Sequence, residues 1–394
     1  MTLATLLLFV IFLGYISLGI PDSLIGAAWP AVYEELSVPI SSLGYITSTI
    51  YIGTIVSSFA SAGIIKALGT AKTAAISTVL TAAALLGFSF SGSVVALCLC
   101  AVPLGLGAGS IDTALNNYVA SNYKAAQMNF LHCFYGVGVT LSPYIMSLAL
   151  SDSNNWRLGY RVTFFIQLAI SIIMFASLPL WKKVSGKSGN AEETRVMKIS
   201  QIVRIPKARA LICVFVGSCG VESICLSWGS SFLASSRGVT AERAAALFTF
   251  YFIGMTFGRF MSGVVSNRFS SLKIAIAGQG ITLIGLCLMF IPSLTVSTIG
   301  LFLIGTGNGP LFPNMTQITP PLFGRDVSQS IIGTQMGFSY ISVLFSPLIT
   351  GFLVGRLSAA FIPVMLCVCY VFMITATVFL IRFGRKGGQR IFEL

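Results

Sequence analysis

Charge is what this chain has least of. Only 9% of its 394 residues are Asp, Glu, Lys or Arg while 55% are apolar, and the mean hydropathy of +0.90 excludes a water-soluble globule, in which about a quarter of residues carry charge. Histidine occurs once, as His132, and none of the nine cysteines forms a C-x-x-C pair. No ligand cluster points to a metal, so none is expected. The cysteines, from Cys98 to Cys369, all fall in apolar runs and read as soft packing residues. No set of nucleophile, base and orienting group recurs, which argues against an enzyme. The two glycine clusters, Gly105 to Gly109 and Gly305 to Gly309, follow no strand of a βαβ unit, so neither reads as a phosphate loop and no nucleotide-driven pump is implied.

What the chain has is apolar length. A membrane-spanning helix takes roughly 20 apolar residues, and breaking the sequence at charges and polar clusters gives twelve candidate spans. Six lie near 3–29, 42–65, 73–92, 94–119, 128–150 and 162–181, and six near 208–233, 243–265, 272–291, 295–317, 328–354 and 360–381. The expected fold class is an all-α membrane protein of two six-helix bundles, 1–181 and 208–394, joined by a polar loop over 182–207 that carries Lys182, Lys183, Lys187, Glu192, Glu193 and Arg195. The first span starts at Leu3 without a basic flank, holds Pro21 and Asp22, and leads to no small-residue cleavage site. It reads as the first helix and not as a signal peptide.

The net charge of +13 raises the question of a nucleic-acid partner, which the placement of the basic residues answers. Eighteen of the 24 Lys and Arg fall in one set of alternate connections and the tail, among them Lys66, Lys72, Lys124, Arg268, Lys273, Arg325 and Arg390. The opposite set holds Arg157, Arg161, Arg237, Arg243 and Arg356, and Arg259 is left inside a span. Basic residues accumulate on the cytoplasmic side of membrane proteins. Both termini and the central loop are therefore expected in the cytoplasm, the chain in the plasma (inner) membrane with the bilayer as its partner, and nucleic acid as no partner.

The halves repeat at an offset near 200. Asp22-Ser23 falls on Glu222-Ser223, Gly105 to Gly109 on Gly305 to Gly309, Gly53 and Phe59 on Gly254 and Phe260, and Ser142-Pro143 on Ser346-Pro347. Small residues at i and i+4, as in Gly105/Gly109, Gly254/Gly258 and Gly305/Gly309, let membrane helices approach closely. Two parallel six-helix repeats with a long central loop are the plan of the major facilitator superfamily, which the chain resembles over its whole length. The resemblance implies alternating access around a midplane site between the halves, and a monomer.

Three acids lie deep in spans: Asp22, Asp112 and Glu222. A carboxylate there costs roughly 2.5–3.5 kcal/mol on insertion scales, so each needs a partner, a water-filled cavity or a proton. Asp112 and Asn116 share a helix face at i, i+4, while Asn117 points elsewhere, and Asn129, His132 and Tyr135 or Gly136 form a second stripe. The second half offers Glu222, Trp228, Asn308, Asn314, Gln329 and Gln335, with Pro310 and Pro313 expected to interrupt the tenth span. Arg259 either fixes a helix corner or pairs with an acid.

The run from Ile111 through Asp112 and Asn116 to Val119, followed by Met128-Asn129 through Leu131-His132 and Tyr135-Gly136 to Ser142-Pro143, is similar to the fucose permease-like branch of the superfamily. Leu131-His132 is similar to the sodium-dependent glucose transporter relatives within it. The resemblance implies cation coupling, by proton or sodium, at Asp22 and Asp112, and sugar-facing roles for Asn116, Asn129, His132 and Tyr135. Glu222, Trp228, Asn308, Asn314 and Gln335 are the expected substrate contacts of the second half. The expected function is cation-coupled symport of a sugar or sugar-like solute, with an ion gradient and no cofactor as the energy source. The alternative is a proton-coupled exporter of drugs or metabolites with the same fold.

Overall fold

The computed structural model describes residues 2–39, 42–153, 155–185 and 195–386. Lys187, Glu192, Glu193 and Arg390, part of the expected loop and tail charge, lie outside the described residues. No strand occurs among the described residues. Six helices open the chain: α1 (Leu3–Glu35), α2 (Leu43–Leu68), α3 (Thr70–Phe90), α4 (Val94–Asn122), α5 (Ala125–Ser153) and α6 (Trp156–Ala176). Two short helices follow, α7 (Leu178–Ser185) and α8 (Ile199–Ile202). The second half holds α9 (Pro206–Arg237), α10 (Ala241–Val265), α11 (Ser271–Met289), α12 (Leu294–Asn308), α13 (Leu311–Gln317), α14 (Thr319–Phe323), α15 (Arg325–Arg356) and α16 (Ile362–Lys386). Helix is the element that hydrocarbon demands, because it satisfies every backbone N–H and C=O within the segment.

Eleven spans among the described residues are long and apolar enough to cross a membrane. The remaining expected span, 243–265, is the helix α10. The sixth span begins earlier than its expected start at 162. Arg157 and Arg161 suggested a loop there, but Asn155 caps α6 by accepting from the Leu158 N–H, and Arg157 pairs with Glu35. The expected break in the tenth span is present: α12 ends at Asn308 and α13 starts at Leu311, with Pro310 between them.

Contacts divide the chain into two compact units, one of Met1–Tyr118, Leu131–Val196 and Arg325–Gly333, the other of Val119–Phe130, Met197–Gly324 and Thr334–Leu394. Within each, large apolar side chains such as Leu99, Phe165, Ile284 and Phe352 stand exposed while Ser, Thr, Asn and Gln are buried. That inversion suits lipid as the solvent. Buried hydroxyls return their protons to the preceding turn, as Thr113 does to the Gly109 carbonyl at 2.7 Å and Ser61 to the Ser58 carbonyl at 2.7 Å.

The glycine repeat sets matching contacts in the two units. A Cβ on Gly105 has no room against the Ile50 carbonyl, nor one on Gly109 against that of Thr54. In the other unit Gly254 is closed by the Phe302 carbonyl and Gly305 by that of Tyr251. α2 against α4 and α10 against α12 are therefore backbone-to-backbone crossings.

Candidate functional site

In the first unit, α1 and α5 also meet through glycine. Gly19 lies against the Tyr135 carbonyl and Gly138 against that of Ile16, neither leaving space for a side chain. Ser23 fastens the crossing, donating to the Val139 carbonyl at 2.6 Å and accepting from Ser142 at 2.9 Å. Phe12 stacks on Phe134 with centroids 4.6 Å apart. This close approach brings the polar face of α1 onto the polar stripe of α5.

Two hydrogen-bonded groups result. In the first, the Asn116 amide donates to Asp112 Oδ1 at 2.8 Å, Tyr15 OH donates to the same oxygen at 2.9 Å, and His132 Nε2 lies 3.2 Å from Asn116 Oδ1. Asp112, Asn116 and His132 are all buried. The Tyr15 ring meets the imidazole edge-on with centroids 5.3 Å apart. In the second group, Tyr135 OH donates to Asp22 Oδ2 at 2.6 Å, and Asp22 is exposed. Tyr15 and Asn116 at Asp112, and Tyr135 at Asp22, are all neutral donors. A neutral donor leaves the carboxylate its charge, which a cation or a proton can balance.

The expected stripe on α5 thus divides. His132 joins Asp112 through Asn116, Tyr135 joins Asp22, and Asn129 donates back to the Ala125 carbonyl at 2.9 Å, leaving its buried Oδ1 without a partner. Asn117, expected to point away, accepts from Ser328 at 2.7 Å. Tyr15 was not singled out from the sequence, although it stands seven residues before Asp22, two helical turns away on the same face of α1.

The second unit places its polar residues differently. Glu222 Oε1 lies 3.7 Å from the Arg259 guanidinium, whose Nε donates to the Gly309 carbonyl at 3.1 Å. Arg259 therefore pairs with an acid and also holds the carbonyl at the α12 break. Asn308 is engaged at both ends of its amide by Ser218, with both contacts at 3.0 Å. Asn314 donates to Ser262 Oγ at 2.8 Å and to the Pro310 carbonyl at 2.7 Å, and its buried Oδ1 has no partner. Gln335 donates to Thr319 at 3.2 Å, and the Trp228 indole donates to the Pro347 carbonyl at 3.0 Å. The Gln329 amide is buried with no hydrogen-bond partner at either end.

Comparison with known proteins places this architecture. The chain is 22% identical over 397 residues to bypass of stop codon protein 6 of Saccharomyces cerevisiae, covering 92% of this chain and 78% of that protein. It is 25% identical over 223 residues to the glucose/mannose transporter GlcP of Bacillus subtilis, covering 53% of this chain and 54% of that one. Its fold matches the crystal structure of the Escherichia coli fucose:proton symporter FucP with a TM-score of 0.76 at 16% identity, over 94% of this chain and 98% of the other. The family model of the Major Facilitator Superfamily matches residues 11–245 and 210–391, and with eleven candidate membrane spans among the described residues, paired glycine crossings and two compact units the chain belongs to that superfamily of non-enzymatic membrane transporters.

Proposed function

We propose that this protein is a symporter, using a proton or sodium gradient and no cofactor to carry a sugar or sugar-like polar solute across the plasma membrane. The observation that carries the reading is the buried chain Tyr15, Asp112, Asn116 and His132, with the Asp22–Tyr135 pair beside it. A sugar presents hydroxyls that both donate and accept, and carboxylate, amide, imidazole and phenol groups meet both needs. The unpartnered oxygens of Asn129 and Asn314 are acceptors in reserve for such hydroxyls, since a buried polar atom left unpaired costs about 1–3 kcal/mol. Glu222, Trp228, Asn308 and Gln335 are the further proposed substrate contacts, from the second half of the chain. The sequence similarity to a glucose/mannose transporter and the fold shared with a fucose:proton symporter support a sugar substrate.

In the proposed cycle Asp22 or Asp112 takes the cation from outside, the sugar completes the site, and both are released inside, where the termini lie. The monomer is the working unit. Uptake of labelled hexoses and deoxyhexoses into proteoliposomes, under an imposed proton gradient and separately under a sodium gradient, tests this. Accumulation driven by one gradient supports the proposal and names the ion. Absence of gradient-driven uptake for every sugar, together with dye or drug efflux, sinks it in favour of the exporter.

A further inference from the structure

The α10–α11 corner carries a groove whose lining includes none of the residues proposed to contact the sugar. It has a volume of about 300 Å³ and lies among the C-terminal half of α10, the N-terminal half of α11 and the end of α12. Gly258, Val265, Ile274, Ala277 and Pro310 form much of its wall. The hydroxyls in the lining are already engaged elsewhere: Ser262 Oγ accepts from Asn314 at 2.8 Å, and Thr306 donates to the Phe302 carbonyl at 2.9 Å. What remains is a hydrocarbon-like wall, which has little to offer a hydroxylated solute and much to offer an acyl chain. Around the groove Met261, Val264 and Phe269 are exposed, so it opens on an apolar surface.

Its mouth is cationic. Lys273 lines the groove and is exposed, and Arg268 stands five residues earlier in the connection between the two helices. Among the described residues neither has a carboxylate within salt-bridge distance. α11 begins at Ser271, capped by Ser270, so the positive end of its dipole adds to the same corner. A connection between two spanning helices lies at the bilayer boundary, where lipid phosphates are found. We propose that this groove binds an anionic phospholipid, with one acyl chain between α10, α11 and α12 and the phosphate held by Lys273, Arg268 and the first turn of α11.

Fluorescence quenching tests the site in the full-length protein. Phe269→Trp places a reporter on the rim, and its signal is taken as the difference from the parent protein in phosphatidylcholine vesicles doped with a brominated-chain lipid. Brominated phosphatidylglycerol is expected to quench the reporter severalfold more than the same mole fraction of brominated phosphatidylcholine. Lys273→Gln should bring the two lipids to equality, and Ala277→Phe, which fills the groove, should weaken quenching by both. Equal quenching by the two lipids with Lys273 intact overturns the proposal in favour of ordinary boundary lipid. A phosphatidylglycerol preference that survives Lys273→Gln combined with Arg268→Gln also overturns it. So does failure of either lipid to quench when the protein runs as a dimer, since the groove then belongs to a second copy. Lys273 is an exposed residue, so its variant remains informative should Ala277→Phe fail to fold.

Discussion

Asn116 donates to Asp112 Oδ1 across 2.8 Å, one turn apart on α4. With its nitrogen committed there, the Asn116 oxygen is the group facing His132 Nε2 at 3.2 Å. That geometry assigns the imidazole proton to Nε2 and makes His132 the donor. Tyr15 also donates to Asp112, so side chains from α1 and α4 donate to one carboxylate and His132 of α5 joins through the Asn116 oxygen. The network suits a charge that forms and is discharged within the cycle.

Asp112→Asn removes the titratable site while keeping its size and an oxygen acceptor for Tyr15. Gradient-driven accumulation in proteoliposomes should fall by about tenfold or more, equivalent to ~1.4 kcal/mol or more of lost coupling. Exchange of labelled for unlabelled substrate, which needs no net cation movement, should continue. Full accumulation by the variant would remove Asp112 from the coupling role.

At His132 the two informative replacements differ in hydrogen bonding. His132→Phe leaves the Asn116 oxygen buried and unpaired, a cost of about 1–3 kcal/mol, and should raise KM for uptake by roughly 5- to 100-fold. His132→Gln restores an N–H donor and should stay within a few-fold of the parent. Equal losses in the two variants would point to ring packing against Tyr15 in place of hydrogen bonding.

The fold was legible because its causes are periodic: apolar length, the asymmetry of basic residues and a glycine pattern repeated at an offset near 200 are all properties of the linear chain. The start of α6 was misplaced because Arg157 was read as a loop cation, and only the contact with Glu35 shows it neutralised at a helix start. Asp112, Asn116 and His132 were found from helical spacing, which predicts a shared face. Spacing says nothing about which helix lies opposite. Tyr15 therefore went unremarked, and Asn308, with its amide fully engaged by Ser218, looked the same in sequence as Asn314, whose oxygen has no partner.

Glu222 occupies the repeat position of Asp22, but in its unit Arg259 lies 3.7 Å away, and the position matching Arg259 in the first half is Ser58. One acid thus faces an arginine, while its counterpart accepts from the neutral Tyr135. Glu222→Gln leaves the Arg259 cation buried without its counter-ion, and removing one partner of a buried pair costs about 3–5 kcal/mol, less for a pair as open as this one. Either single change should lower the thermal midpoint in detergent, and Glu222→Gln with Arg259→Gln should recover most of the loss. A double variant no more stable than the sum of its singles would show that the ion pair contributes no coupling energy.

At the end of α1, outside the apolar span, Glu35 accepts from Arg157 and from the Trp156 indole, the latter at 2.6 Å. The hydrogen bond from Arg157 is the chief cause holding the Glu35 carboxyl below its ordinary range, partly offset by desolvation and reinforced by Trp156 and by the arginine's charge. A carboxyl depressed in the folded state contributes stability above its ordinary pKa, about 4.3, and loses it as pH falls through the folded value. The half-exposed setting limits the contribution to ~0.2–1 kcal/mol. Thermal midpoints of the parent and Glu35→Gln should therefore differ at about pH 7 and converge as the pH is lowered through the carboxylate range. A gap that shows no narrowing as the pH falls below the ordinary carboxylate range would assign the effect of the substitution to packing, because protonation of the carboxyl removes the ionic contribution.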